Sequence, residues 1–251
     1  MRKLVLAAAS GAALLLLGVG LGVAAEAIPS YVDSAVADPA RPDADRMRDP
    51  ERMPAQVLSF AGVRPGEKVG ELIPGGGYYT RLLSDVVGSS GHVYGLWPEG
   101  LAKVRPQMLE ATSKIAPNVT SVTYGAASLN APEKLDMVWT SENYHDMHNA
   151  PPGAPPADIA GFNHAVFEAL KPGGVYLIED HADAAGTGIK DTGTLHRIDP
   201  AAVKSEVEAA GFKLVGQSDM LKNPADPHTA TVFNPAIKGH TDKLLFKFRK
   251  P

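Results

Sequence analysis

The sequence predicts a single α/β domain with a seven-stranded, mostly parallel sheet, helices on both faces and an antiparallel last strand. Three observations predict this fold. Short apolar segments alternate with amphipathic ones, which is typical of a parallel sheet covered by helices. A glycine-rich loop at residues 73–77 joins the first strand to a helix. The last two strands have no helical pattern between them, which indicates an antiparallel pair.

The first 27 residues have the pattern of a secretory signal peptide. Arg2 and Lys3 precede an uncharged segment of apolar and small residues at 4–23, and residues 25–27 offer a small-x-small cleavage pattern. We therefore predict a periplasmic or secreted protein, with no stable membrane insertion after cleavage. The alternative is an uncleaved membrane anchor, because about 20 apolar residues can span a bilayer.

Length and composition restrict the remaining possibilities. The chain has 251 residues and no cysteine, so the mature part is long enough for one domain with a sizeable core and forms no disulfides. The net charge is −4 and no basic run follows the signal, so a small molecule is a better expected partner than nucleic acid. We predict a linker or N-terminal arm at residues 28–50 and the domain at 51–251.

The elements of the domain follow one another in a regular order. Strands are predicted at residues 68–73, 92–97, 119–124, 135–140, 175–180, 212–218 and 244–248. Helices are predicted at residues 51–61, 78–87, 101–115, 157–170 and 200–210. Pro106 is expected to kink or split the third helix. Residues 171–174 are interpreted as a turn, and residues 223–239 as a long polar insertion.

The first strand and its loop carry a motif. Glu71 lies in the strand, and Gly75 and Gly77 follow it with one residue between them. Residues 69–77 thereby resemble the first motif of Rossmann-like S-adenosylmethionine (SAM) dependent methyltransferases of class I. Residues 170–175, Leu-Lys-Pro-Gly-Gly-Val, are similar to the entry of that family's fifth strand. More narrowly, residues 74–80 and 142–146 resemble an exported, periplasmic branch of predicted methyltransferases.

The resemblance implies a SAM-dependent methyltransferase that modifies oxygen or nitrogen of a small molecule. It implies that cofactor binding involves Glu71, Gly75, Gly76, Gly77, Tyr78, Trp97 and Asn143. Glycine suits such a loop because the chain turns sharply and a ligand touches the backbone. The sequence departs from the family at Ile73 and Pro74. It also has Trp97 where the family has the acidic residue that binds the ribose hydroxyls, and Glu99 is a candidate substitute.

Reactive side chains follow the fourth and fifth predicted strands. Because ligands bind beyond the carboxyl ends of parallel strands, we expect these groups to meet there. The cluster contains Glu142, Asn143, His145, Asp146, His148, Glu179, Asp180, His181, Asp183 and His196. We predict His145 as the base that deprotonates the methyl acceptor, with His181 or His196 assisting, because histidine titrates near neutral pH.

One alternative function remains for this cluster, and another for the charged segment before the first strand. No tight metal-binding spacing is present, so no metal is expected, but His145, Asp146, Glu179, His181 and His196 are suitable ligands for a divalent ion. The charged segment at residues 43–52 is interpreted as a solvated face. Its alternative is a lid in which Arg46 or Arg52 reaches an anionic group.

The leading hypothesis is therefore an enzyme, a SAM-dependent methyltransferase. The competing hypothesis is an exported domain of the same fold that no longer uses SAM and binds another small ligand or a metal. Export favours this second hypothesis because SAM is made in the cytoplasm, and Trp97 in place of an acid points the same way.

Overall fold

The computed structural model describes residues 27–125, 128–150 and 157–251. Except for Ala27, the predicted signal peptide lies outside the described residues. The strands are β1 (Lys68–Leu72), β2 (His92–Pro98), β3 (Val119–Tyr124), β4 (Leu135–Ser141), β5 (Leu170–His181), β6 (Lys213–Gln217) and β7 (Lys243–Arg249). They form one sheet in the order β3-β2-β1-β4-β5-β7-β6.

The pairing of the strands confirms the predicted fold class. β1 pairs in parallel with β2 and β4, β3 extends the sheet beside β2, and β5 lies in parallel beside β4. β7 is antiparallel to both β5 and β6. No helix connects β6 to β7, so the chain reverses and inserts its last strand between its two predecessors. The strand order reverses at β1, which places the ends of β1 and β4 at the switch point of the sheet.

Helices cover both faces. They are α1 (Ser30–Val36), α2 (Asp43–Arg46), α3 (Asp49–Arg52), α4 (Pro54–Ala61), α5 (Tyr78–Val87), α6 (Glu99–Val104), α7 (Pro106–Ser113), α8 (Ile159–Ala169) and α9 (Pro200–Ala209). Alternate strand residues point to opposite faces. Thus Met137 and Trp139 join an apolar cluster with α1, α4 and α5, whereas Val138 joins a second cluster with α8 and α9. None of the helices in the described residues is both long and apolar enough to cross a bilayer.

Three local predictions have definite outcomes. The break at Pro106 is confirmed, because α6 ends at Val104 and Pro106 begins α7. The turn at residues 171–174 is wrong. These residues belong to β5, where Gly173 N–H donates to Lys250 O and Gly174 O accepts from Lys250 N–H, both at 2.9 Å. Three short helices begin within residues 28–50, a segment whose helices are too short to show a clear period in the sequence.

Candidate active site

A cavity of about 330 Å³ lies beyond the carboxyl ends of β1 and β4. One wall is the glycine loop with the first residues of α5, and the opposite wall is the segment that follows β4. Residues of α2 and α3 complete the lining. This is the position at which open α/β sheets bind ligands, because the loops on either side of the switch point diverge there.

The glycine loop makes a sharp turn through three residues with left-handed backbone angles. Ile73 has φ +48°, Gly75 has φ +58° and Gly77 has φ +79°. A β-branched residue in this region is uncommon, since its side chain crowds the backbone. Gly77 caps α5, and a Cβ there would lie 2.5 Å from Ile115 Cδ1. A Cβ on Gly76, which lines the cavity, would meet nothing within 4 Å, so the loop offers its bare backbone to a ligand.

Glu71 is the acidic residue of β1 and lines the floor of this cavity. Its carboxylate accepts a hydrogen bond from Thr80 Oγ1 at 2.6 Å. Burial raises the pKa of Glu71 to about 8, against a smaller opposing effect of that hydrogen bond. The Glu71 side chain is therefore largely uncharged near neutral pH, and a cationic ligand beside it would favour loss of its proton.

Asn143 joins the two strand ends that flank the cavity. Its Nδ2 donates to Leu72 O at 3.0 Å and to Ser141 O at 3.1 Å. Its Oδ1 accepts from Thr140 Oγ1. Asn143 thus lines the cavity, as a cofactor-binding residue must, and also fixes the end of β1 against the end of β4.

A buried ion network lies behind the opposite wall. Glu142 contacts Arg52, and its Oε1 lies 2.6 Å from Lys243 Nζ. Lys243 also lies 3.2 Å from Glu179 Oε1, and only 3% of Lys243 is exposed. Burial alone would raise the pKa of Glu142, but Lys243 and Arg52 outweigh it and hold this pKa well below its usual range. Glu142 is consequently an anion fixed at the cavity wall.

The charged segment at residues 43–52 lies over the glycine loop. Arg41 forms a two-point ion pair with Asp49 at 2.9 and 2.7 Å, and Tyr78 Oη donates to Asp49 at 2.7 Å. The guanidinium of Arg52 lies 4.9 Å from the centre of the Tyr78 ring. The side chain of Arg52 is buried against Glu142 in the segment that follows β4, whereas those of Asp43 and Arg46 are exposed, so only part of the charged segment is a solvated face.

The histidine cluster lies beside the cavity, in the turn after β4 and the loop after β5. Asp180 Oδ1 is 2.8 Å from His145 Nδ1, and Asp180 Oδ2 accepts the backbone N–H of His145 at 2.7 Å. His145 Nε2 is 3.1 Å from His196 Nδ1. Burial lowers the pKa of His145, but the charge and hydrogen bond of Asp180 outweigh burial and raise it. Asp146 contacts both rings and also lines the cavity.

His181 belongs to the same region but has different partners. Its Nδ1 is 2.7 Å from Thr241 Oγ1, and its ring centre is 6.1 Å from that of His145. Burial lowers the pKa of His181 to about 4, so its imidazole is neutral at physiological pH. Of the three predicted catalytic histidines, the structure brings His145 and His196 into direct contact and pairs His181 with Thr241, just before β7.

The predicted cofactor residues divide into two groups. Those that line the cavity are Glu71, Gly75, Gly76, Tyr78 and Asn143. Gly77 lies just behind it as the cap of α5. Trp97 is fully buried at the end of β2, and its indole Nε1 has no hydrogen-bond partner among the described residues. Glu99 is the first residue of α6, one residue beyond the end of β2, and it is exposed.

Two further residues belong to this site: Tyr79, which its place after the glycine loop already suggested as a wall of the pocket, and Lys243, which sequence reasoning missed. Tyr79 lines the cavity, and its buried hydroxyl has no hydrogen-bond partner in the described part of the chain. Lys243 reaches Glu142 and Glu179 from β7. Tyr79 had a local signal, since it directly follows the glycine loop and Tyr78. Lys243 had none, because a lysine before an apolar strand is usually solvated.

The chain matches no known family profile, and no curated protein resembles it in sequence. Its structure, however, is similar to many solved ones. A SAM-dependent methyltransferase from Aquifex aeolicus superposes with a TM-score of 0.53 at 17% identity, over 88% of this chain and 98% of that one. The chain has a Rossmann-like methyltransferase fold.

Two further structures show the same fold. One chain of the complex between the Haloferax volcanii Trm112 methyltransferase activator and the putative methyltransferase gives a TM-score of 0.57 at 16% identity, over 88% of this chain and 97% of its own. The [4+2]-cyclase SpnF gives 0.55 at 15% identity, over 83% of this chain and 81% of its own. Identities this low establish the fold alone, and the cyclase illustrates that the fold serves more than one named activity.

Proposed function

We propose that this chain is a SAM-dependent methyltransferase that transfers a methyl group to oxygen or nitrogen of a small molecule. The observation that carries the proposal is the cavity between the glycine loop and the end of β4, on this sheet topology. Its residues suit a polar, cationic ligand. Gly76, Tyr79 and Glu71 all line it, and a Cβ on Gly76 would meet nothing within 4 Å.

SAM, when bound, supplies an electrophilic methyl group on a sulfonium. The protein's part is to hold the acceptor beside it and to take the acceptor's proton. We assign proton removal to the pair His145 and His196, which Asp180 orients from behind. His196 is the member that an acceptor can reach, because 30% of its side chain is exposed, against 3% for His145. A neutral acceptor oxygen or nitrogen needs such a base for methyl transfer.

Binding of SAM and of S-adenosylhomocysteine tests the proposal directly. Titration calorimetry on the mature protein should show micromolar binding of both. Gly76→Val should abolish it, because the new side chain projects into the cavity without a backbone penalty. Gly100→Val is the matched control, since a Cβ at Gly100, in α6, also meets nothing within 4 Å. A folded wild-type protein that binds neither compound would contradict the proposal.

The anchor for the ribose is a separate question. Neither Trp97 nor Glu99 lines the cavity, but Trp97 is fully buried whereas Glu99, two residues further on, has an exposed carboxylate, so we assign the ribose contact to Glu99. Glu99→Gln should then weaken SAM binding by about 1–3 kcal/mol. If SAM binding fails in wild type and in every variant, the alternative function applies, namely a domain of this fold that takes another small ligand. Export to the periplasm also stays a prediction.

A further inference from the structure

Three side chains of the histidine cluster direct ligand atoms at one point. His145 Nε2 is 3.1 Å from His196 Nδ1 and 3.4 Å from Asp146 Oδ1. The same Asp146 oxygen is 3.5 Å from His196 Nδ1. The three atoms therefore form a nearly equilateral triangle, contributed by two separate loops of the chain.

This spacing equals that of ligands around a small tetrahedral ion. Zinc bonds nitrogen and oxygen at about 2.0–2.2 Å, and tetrahedral angles then place neighbouring ligand atoms about 3.3–3.5 Å apart. Two imidazoles and one carboxylate form a donor set typical of zinc. A hydrogen bond between the rings would account for the shortest side of the triangle, whereas one ion at its centre would account for all three sides.

We propose that His145, Asp146 and His196 bind a divalent transition-metal ion of the zinc class. The ion would occupy the point that the three ligand atoms share. Three protein ligands leave a fourth tetrahedral position open, and the partial exposure of Asp146 and His196 lets solvent or a small molecule approach the site. This is the open arrangement of catalytic rather than structural zinc sites.

The group behind His145 supports the assignment independently of the triangle. Asp180 is fully buried and accepts from both the backbone N–H and the Nδ1 of His145. A carboxylate has no proton to donate, so Nδ1 carries the hydrogen and Nε2 is the nitrogen that faces the shared point. Metal-binding histidines almost always have such a partner on their second nitrogen, which sets the tautomer and the ring orientation.

The position of the site relates it to the proposed function. Asp146 is one of the three proposed metal ligands and also lines the cavity beside the glycine loop. If the chain is a methyltransferase, an acceptor oxygen in the fourth position would be close to the cavity. With the lone pairs of His145 and His196 on the ion, the ion's charge would replace the histidine pair as the base and favour the deprotonated acceptor. This last step rests on the proposed function, whereas binding of the ion does not.

The experiment titrates chelator-treated, full mature protein with Zn²⁺ by calorimetry and with Co²⁺ by visible absorption. We expect one ion per chain and the intense absorption of tetrahedral Co²⁺. His196→Ala removes a ligand and should weaken Zn²⁺ binding by more than about 100-fold, whereas Asp180→Asn, which removes a positioning contact, should weaken it by about 10–100-fold. His164→Gln is the matched control, because His164 is exposed on α8.

The outcomes separate the two proposals. Circular dichroism verifies that each variant is folded, so that loss of binding reports the ligand and not the fold. A folded wild-type protein that binds no Zn²⁺, or a His196→Ala variant that binds it as tightly as His164→Gln, would overturn the metal site. SAM titration of the metal-free protein tests the methyltransferase proposal on its own, since the glycine loop contributes no metal ligand.

Discussion

Asp180 holds His145 at two points. One carboxylate oxygen accepts the backbone N–H of His145 at 2.7 Å, and the other lies 2.8 Å from its Nδ1. The turn after β4 and the end of β5 are thereby joined through a side chain that is completely buried. This contact fixes both the position of the turn and the direction of the imidazole.

Replacement of Asp180 by asparagine should therefore destabilise the protein. The amide places a donor where the carboxylate accepts, which leaves a buried N–H without a partner and costs about 1–3 kcal/mol. Urea unfolding of the two proteins measures the difference. Asp219→Asn is the control, since 75% of the Asp219 side chain is exposed and its loss should change stability by less than about 0.5 kcal/mol. Equal effects of the two substitutions would contradict the role of Asp180.

Glu71 should make the stability fall as pH rises. Burial raises its pKa to about 8 in the folded protein, from an ordinary value of 4.5, so the folded state binds the proton more tightly. The associated stability is complete below about pH 4.5 and is lost as pH rises to about 8. From pH 5 to pH 8 the loss amounts to about 3 kcal/mol for the pKa values of 4.5 and 8.

Glu71→Gln removes this titration and keeps an acceptor for Thr80. Urea unfolding at a series of pH values should show wild type and variant converging near pH 5, with the variant more stable near pH 8. Parallel stability curves for the two proteins would show that Glu71 is ionised in the folded state throughout.

Lys243 should be essential for the buried ion network. Lys243→Met leaves Glu142 and Glu179 without their shared cation, and an uncompensated buried charge costs about 3–5 kcal/mol. A second change, Glu179→Gln in the same chain, should recover part of this loss because it removes one of the two anions. Chemical unfolding measures the free energy of unfolding of the single and the double variant. Lys222→Met, at a position 53% exposed, is the control and should have little effect.

Two adjacent glycines should respond differently to alanine. Gly75 has φ +58°, where a Cβ crowds the backbone, so Gly75→Ala should lower stability by about 1–2 kcal/mol. Gly76→Ala adds a methyl group in open space without a left-handed angle and should leave stability nearly unchanged. Thermal unfolding of the two variants provides the comparison. Equal destabilisation by both substitutions would contradict the difference in backbone angle between Gly75 and Gly76.

The sheet could be predicted because its evidence is local. Apolar segments of strand length, amphipathic helices and turn residues can each be recognised within a short window of sequence. The antiparallel last strand followed from the absence of a helical pattern before residues 244–248. The helices within residues 28–50 escaped prediction because four to seven residues are too few to establish a helical period. Residues 171–174 were misassigned because their pairing partner, Lys250, is distant in sequence.

The site was predictable in outline only. Parallel strands bring their carboxyl ends to one edge, so Asn143, His145 and His196 could be expected beside the glycine loop from their places in the sequence alone. Lys243 carries no local signal for its contacts, and the pairing of Arg52 with Glu142 joins residues 90 positions apart in the sequence. Trp97 could be recognised as a departure from the family's acid, but its burial could not, because burial depends on the neighbouring elements that pack over the end of β2.

The sequence by itself determined the order of the elements, the glycine loop and the set of reactive side chains at one edge of the sheet. Only the tertiary structure decided which of those side chains meet. His145, Asp146 and His196 converge on one point, whereas His181 forms a hydrogen bond with Thr241. The physical reason is that a strand's end can be placed by local periodicity, but the direction of a side chain there depends on contacts from distant segments, such as the hydrogen bond that His145 donates to Asp180.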